Sequence, residues 1–116
     1  MKKFIIFLTV VLLGMNVGNA QSPCKDGICV VQFNAGFNEA NKVTWLGNLT
    51  DCKTKYIDIQ KETTAAGKYK IVVVPTIVIY NDGEEVKRFQ ANIMMTMEAT
   101  IKDVQGAIDD VIMEGF

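Results

Sequence analysis

KYKIVVVPTIVIYNDGEEVKRF, residues Lys68 to Phe89, sets two apolar runs on either side of a proline and closes them with a turn. The first run, Ile71–Val74, stops at Pro75, and the second, Ile77–Tyr80, follows at once. Asp82-Gly83 then supplies turn chemistry, because glycine accepts the positive φ that tight hairpin turns require. Val, Ile and Tyr dominate the runs, and such side chains suit a pleated, half-buried surface. The stretch therefore predicts a buried strand over Thr76–Tyr80 and a hairpin partner over Glu84–Gln90. Glu84, Glu85, Lys87 and Arg88 charge that partner, as befits a strand at a sheet edge. Proline cannot donate to a ladder, and Pro75 stands where it is tolerated, at the mouth of a strand.

The remaining elements fall on both sides of this hairpin. Ile28–Ala35 (ICVVQFNA) is a continuous apolar strand of the kind buried on both faces. Asn38 is placed to cap a helix over Glu39–Asn48, with Val43, Leu46 and Leu49 inward. Thr54–Ile59 (TKYIDI) predicts a strand nearer an edge, and Lys61–Lys68 a short helix weakened by Thr63, Thr64 and Gly67. Met97, Ile101, Val104, Ile108 and Val111 form one stripe of a closing amphipathic helix, with Thr96 as its expected N-cap. Gly106 sits off that stripe. Met94, Met95 and Met97 read as packing residues rather than thioether ligands for copper(I).

Strand, helix, strand, helix, hairpin and helix make α/β the natural class. The string Lys68-Tyr69-x-Ile71-x-x-Val74-Pro75-Thr76, followed by an apolar strand and an Asp-Gly turn, resembles the C-terminal half of a thioredoxin-family domain. The resemblance covers Ile28 to about Ile112 and implies a minimal thioredoxin-like fold: a central mixed four-stranded sheet with flanking helices. It also implies a cis Val74–Pro75 bond facing the family's redox site. The usual leading strand and helix have no room in residues 21–27, which leaves Thr54–Ile59 as an open edge.

Placed on this chain, the family's active segment, aromatic-Ala-x-x-Cys-x-x-Cys-Lys, falls on residues 33–42, where both cysteine positions are asparagine, Asn38 and Asn41. The family's buried acid corresponds to Gln32 and its tryptophan to Asn34. Thioredoxin chemistry needs a thiolate at a helix start and a second thiol one turn on. An amide can do neither. The chain holds no histidine, which removes Ser/His/Asp and Cys/His catalysis and most zinc sites. No cofactor or metal is expected.

Met1-Lys2-Lys3, the apolar run Phe4–Leu13 and the small residues near Ala20 predict a secretory leader over residues 1–20, too short to span a bilayer. Residues 21–116 then form one small domain, periplasmic or secreted. Without Lys2 and Lys3, ten of the 12 basic residues face 13 acidic ones, a formal charge of −3. Nothing in that balance suggests nucleic acid, or a membrane once the leader is cleaved.

An oxidising compartment lets Cys24, Cys29 and Cys52 pair. If Asp26-Gly27 forms a two-residue hairpin, Cys24 and Cys29 oppose each other at about 4.5 Å between Cα atoms, where a disulfide clasp is feasible. Cys29–Cys52, no bridge, and a catalytic pair stay open beside it. The functional expectation is an exported, redox-inactive module that binds an extended peptide or protein. The resemblance implies that Phe37, Asn38, Asn41, Val74, Pro75 and Thr76 line its groove, with backbone beside Pro75 pairing with the ligand. Two alternatives accompany it. One is a thiol–disulfide oxidoreductase using Cys24, Cys29 or Cys52, and the other a structural module dimerising through the 54–59 edge.

Overall fold

The computed structural model describes residues 22–115, so the leader expected over residues 1–20 lies outside the described residues. Four strands, β1 (Ile28–Asn34), β2 (Lys53–Asp58), β3 (Thr76–Asn81) and β4 (Glu84–Gln90), make one sheet in the order β2-β1-β3-β4. β1 runs parallel to β2 and antiparallel to β3, and β3 and β4 form the predicted hairpin. The sheet is therefore mixed, and β2 lies at its edge as the sequence required.

The apolar β1 is buried on both faces. Val31 and Phe33 join Ile57, Ile71, Val74 and Val78 on one side. Val30 joins Ile77, Ile79, Val104 and Ile108 on the other. Each buried side chain of this size stabilises by roughly 1.5–3 kcal/mol relative to leaving it in water. On the edge strand β2, Lys53 and Lys55 are exposed and Ile57 is buried. In β4, Lys87 faces Ile79 while Glu85 faces Tyr80, so Val86 is an extra residue in a bulge. Charged side chains and bulges both deter edge-to-edge pairing.

The helices depart from expectation. No α-helix spans Glu39–Asn48: two short 3₁₀ turns, Gly36–Asn41 and Leu46–Asn48, stand in its place. Asn38 caps nothing: it lies inside the first 3₁₀ turn, its side chain turns inward, and its side-chain oxygen accepts from the Asn41 amide rather than from a backbone N–H. Further along, Gln32 competes directly with helix formation. Its amide donates to the Val43 carbonyl at 3.0 Å and accepts from the Val43 N–H at 2.8 Å. Val43, Leu46 and Leu49 still face the core, as predicted, but from an irregular segment.

The short helix is α1 (Ala65–Lys68), four residues rather than the eight of Lys61–Lys68. The closing helix is α2 (Ile101–Glu114), with Val104, Ile108 and Val111 buried. Its N-cap is Thr100, not Thr96. The Thr100 hydroxyl accepts from the Asp103 N–H at 3.3 Å while the Asp103 carboxylate accepts from the Thr100 N–H at 2.8 Å. That reciprocal capping box satisfies two otherwise free donors, an arrangement Thr96 does not make. Met97 packs against the core from ahead of the helix.

Cys24 and Cys29 form a disulfide with Cα atoms 6.3 Å apart. The hairpin expected around Asp26-Gly27 is absent. Gly27, at φ +71°, instead bonds across to the β3–β4 turn, donating to the Asp82 carboxylate at 2.8 Å and accepting from the Asp82 N–H at 3.0 Å.

Candidate functional site

The C-terminal end of β1, the segment before β3 and the turn after β4 meet at one end of the sheet. Asn34 ends β1 and is fully buried, and Asn38 follows one turn later, 6% exposed. The Asn38 amide donates to the Asn34 side-chain oxygen at 3.2 Å, the Met95 carbonyl at 3.1 Å and, more weakly, the Val74 carbonyl at 3.4 Å. Its oxygen accepts from the exposed Asn41 amide at 2.9 Å, and Asn34 donates back to the Asn38 carbonyl at 3.2 Å. A buried polar side chain survives only when its donors and acceptors are matched, and Asn38 meets that condition from three different segments. It ties the floor of the site together and presents no nucleophile.

The Val74–Pro75 peptide bond is cis. Pro75 is fully buried behind Val74, and the Thr76 hydroxyl donates to the Val73 carbonyl at 2.7 Å, which holds the segment before β3 in place. Among the described residues, no hydrogen bond engages the N–H groups of Val72, Val73 or Val74. Phe37 projects from the 3₁₀ turn, 65% exposed, with its N–H donating to the Gln60 side chain at 2.9 Å. A groove of about 380 Å³ lies between Phe37, Val72, Val74, Ile93 and Met95, with Ile59 and Ile71 beneath.

Of the six groove residues expected from the sequence, Phe37 and Val74 line this groove directly. Asn38 lies below it with its amide already engaged, Asn41 supports Asn38 from the exposed side, and Pro75 and Thr76 are buried behind Val74. The turn after β4 was missed. Met94 and Met95, read as packing residues, are 73% and 37% exposed, and Ile93 is 97% exposed. The available signal was Asn92 ahead of three apolar residues that fit no helix or strand period. The Asn92 side-chain oxygen accepts from the N–H groups of Met94 (2.9 Å) and Thr96 (3.1 Å), shaping the turn locally.

The cysteines lie elsewhere. Cys29 is the second residue of β1 and Asn34 the last, about 17 Å apart at the rise of an extended strand. Cys24 and Cys29, 8% and 2% exposed, belong to the core of one face. Cys52 is half-buried against the core of the other face, and burial, with Asp51 adding, pushes its thiol above its ordinary range. The structure does not bring these sulfurs to the groove.

The four-stranded mixed sheet, the cis proline ahead of β3 and the closing helix define a thioredoxin-like α/β fold. Solved structures share it. A designed protein superposes with a TM-score of 0.59 at 20% identity, covering 87% of this chain and 91% of that one. A mutant thioredoxin from Halobacterium salinarum gives 0.56 at 20%, over 83% and 82% of the two chains. A thioredoxin from Thermosipho africanus gives 0.56 at 19%, over 75% and 97%. No protein-family profile matches the chain, and no curated protein matches it. At such identities the likeness concerns the fold alone. In this sequence no two cysteines are separated by just two intervening residues.

Proposed function

We propose that this chain is an exported thioredoxin-like domain that binds an extended peptide segment and carries out no dithiol chemistry at its groove. The observation that carries the reading is the substitution of a closed amide network for a thiol pair beside the cis proline. Asn38 and Asn41 hydrogen-bond to each other at 2.9 Å, and the first is saturated by partners within the fold. Neither can form a thiolate or a disulfide. What remains next to Pro75 is an apolar groove and a run of backbone, Val72–Val74, whose N–H groups have no hydrogen-bond partner among the described residues; the exposed Val72 is the one best placed to meet a second chain. Export is supported by the leader-like start of the sequence and by the Cys24–Cys29 bridge, which an oxidising compartment preserves.

Two measurements test this. Titration of a labelled extended peptide should show saturable binding that Val72→Asp weakens at least tenfold. Val72 is 77% exposed, so the substitution leaves the core intact. A disulfide-reduction assay on the same preparation should show no turnover above background. Turnover that disappears in Cys24→Ser or Cys29→Ser would replace the binding reading with an oxidoreductase using the displaced cysteines.

A further inference from the structure

The outer side of β2 is open along most of its length. Among the described residues β1 is its one strand neighbour, and no hydrogen bond beyond that ladder engages the backbone of Lys53–Ile57. Such a row of N–H and C=O groups is a template for an added strand. Lys53, Thr54, Lys55 and Tyr56 are all exposed, so neither face of the sheet covers this edge before Ile57.

A groove flanks the strand on each face. Lys53 and Lys55 stand beside Cys29 and Val31, on the face that holds the disulfide, whereas Thr54 and Tyr56 stand beside Val30 and Gln32 on the other. On the first face a groove of about 310 Å³ lies between Pro23, Lys25, Lys53 and Lys55. On the second, one of about 400 Å³ lies between Lys42, Thr44, Thr54 and Tyr56. Successive side chains of an added strand point to opposite faces, so the two grooves are placed to receive them alternately.

Charge selects the partner. Among the described residues no acidic side chain lines either groove. Lys25 and Lys55 have no acidic partner there, and Lys53 and Lys42 have only exposed ones, Asp26 at 3.1 Å and Glu39 at 2.9 Å. Exposed pairs of this kind are weak and exchange readily. We infer that β2 adds an acidic, extended segment of a partner protein, whose carboxylates at every second residue meet Lys25, Lys53 and Lys55 while its backbone completes the ladder. The same lysines turn away a second copy of the chain, because pairing two such edges brings like charges together. The β4 edge of another copy is no substitute: its bulge at Val86 interrupts the ladder, and its Glu85 is already paired with Arg88 at 2.9 Å. The edge shares no lining residue with the groove beside Pro75, so the two sites are independent.

The test uses the purified protein without reductant, so that the Cys24–Cys29 bridge is kept. The probe is a short labelled peptide alternating Glu and Val. Three twins accompany it: one of the same composition with its glutamates contiguous, one with Lys in place of Glu, and one N-methylated along its backbone. Wild type is expected to bind the alternating peptide about tenfold more tightly than the contiguous twin, and less tightly as salt is raised. It is expected to bind neither of the other two. Lys53→Glu combined with Lys55→Glu, its fold checked by circular dichroism, is expected to lose the Glu peptide and to gain the Lys twin. Val72→Asp is expected to bind as wild type does. Equal affinity for the contiguous or the N-methylated twin would reduce the edge to diffuse charge attraction and overturn the inference. Failure of wild type to bind, or undiminished binding by the double lysine variant, would overturn it too. Loss of binding in Val72→Asp would move the peptide to the groove beside Pro75 and remove the edge site, whereas failure at the edge alone leaves the groove reading intact.

Discussion

Asn38 sits where a folded chain can least tolerate an unmatched polar group, and its amide hydrogens all point toward oxygen acceptors: Asn34, Val74 and Met95. Replacement by aspartate keeps the shape and removes the donors. Asn38→Asp is expected to cost at least 1–3 kcal/mol at neutral pH, the range for an unsatisfied buried partner, with more if the charge persists. The buried carboxyl would titrate above its unfolded value of about 3.9, since only the protonated form can donate. Its protonated form therefore contributes fully below the unfolded pKa, and stability falls as pH rises through the folded one. Urea denaturation of the variant at pH 4 and pH 7, set against wild type, reads this directly. Cys52 gives a second test at this scale. Burial holds its thiol protonated to higher pH than an exposed thiol, for which the ordinary value is about 8.5. Alkylation by iodoacetamide should be slow at pH 7 and should still be accelerating at pH values where a model thiol has levelled off. Its share of stability is full below the unfolded pKa and is lost as pH rises above it.

At the scale of elements, α2 is the most self-sufficient piece of the molecule and the segment after β1 the least. Thr100→Ala removes one half of the capping box and should lower stability by about 1 kcal/mol in a denaturation experiment. Gly106→Ala should raise it by roughly 0.5–1 kcal/mol, because an added Cβ meets nothing within 4 Å. The existence, type and inward face of this helix followed from its apolar spacing, while its first residue depended on which threonine found a reciprocal acid. Leu46 and Leu49 point inward as their spacing required, yet no α-helix carries them. Residues distant in sequence settle that segment: Gln32 on β1 captures both backbone groups of Val43. Sequence periodicity reports which side chains are buried, and it is blind to a side chain from another strand that satisfies the backbone instead.

Across the whole molecule, the disulfide fastens the first described residues to the opening of β1, far from the groove. Cys24→Ser with Cys29→Ser should lower stability by about 2 kcal/mol, since the closed loop is short, and should leave the circular dichroism spectrum close to wild type. The exposed edge of β2 carries the competing structural reading, in which copies pair through residues 54–59. Lys53 and Lys55 on that strand and the bulge at Val86 on the opposite edge both work against pairing. Sedimentation velocity should therefore report a monomer. A dimer dissolved by Tyr56→Lys would favour the assembly role.

The apolar runs around Pro75, the continuous burial of β1 and the absence of a cysteine pair at residues 38 and 41 were legible in the chain, because each depends on local composition and short spacing. Together with the family resemblance they support, those features were enough for the sheet, its mixed topology and the open edge. The saturation of Asn38, the rescue of Val43 by Gln32 and the convergence of Phe37, Val72 and Ile93 on one groove were decided by the tertiary structure. Each joins segments ten to fifty residues or more apart, and hydrogen-bond satisfaction between such segments leaves no period in the sequence to read.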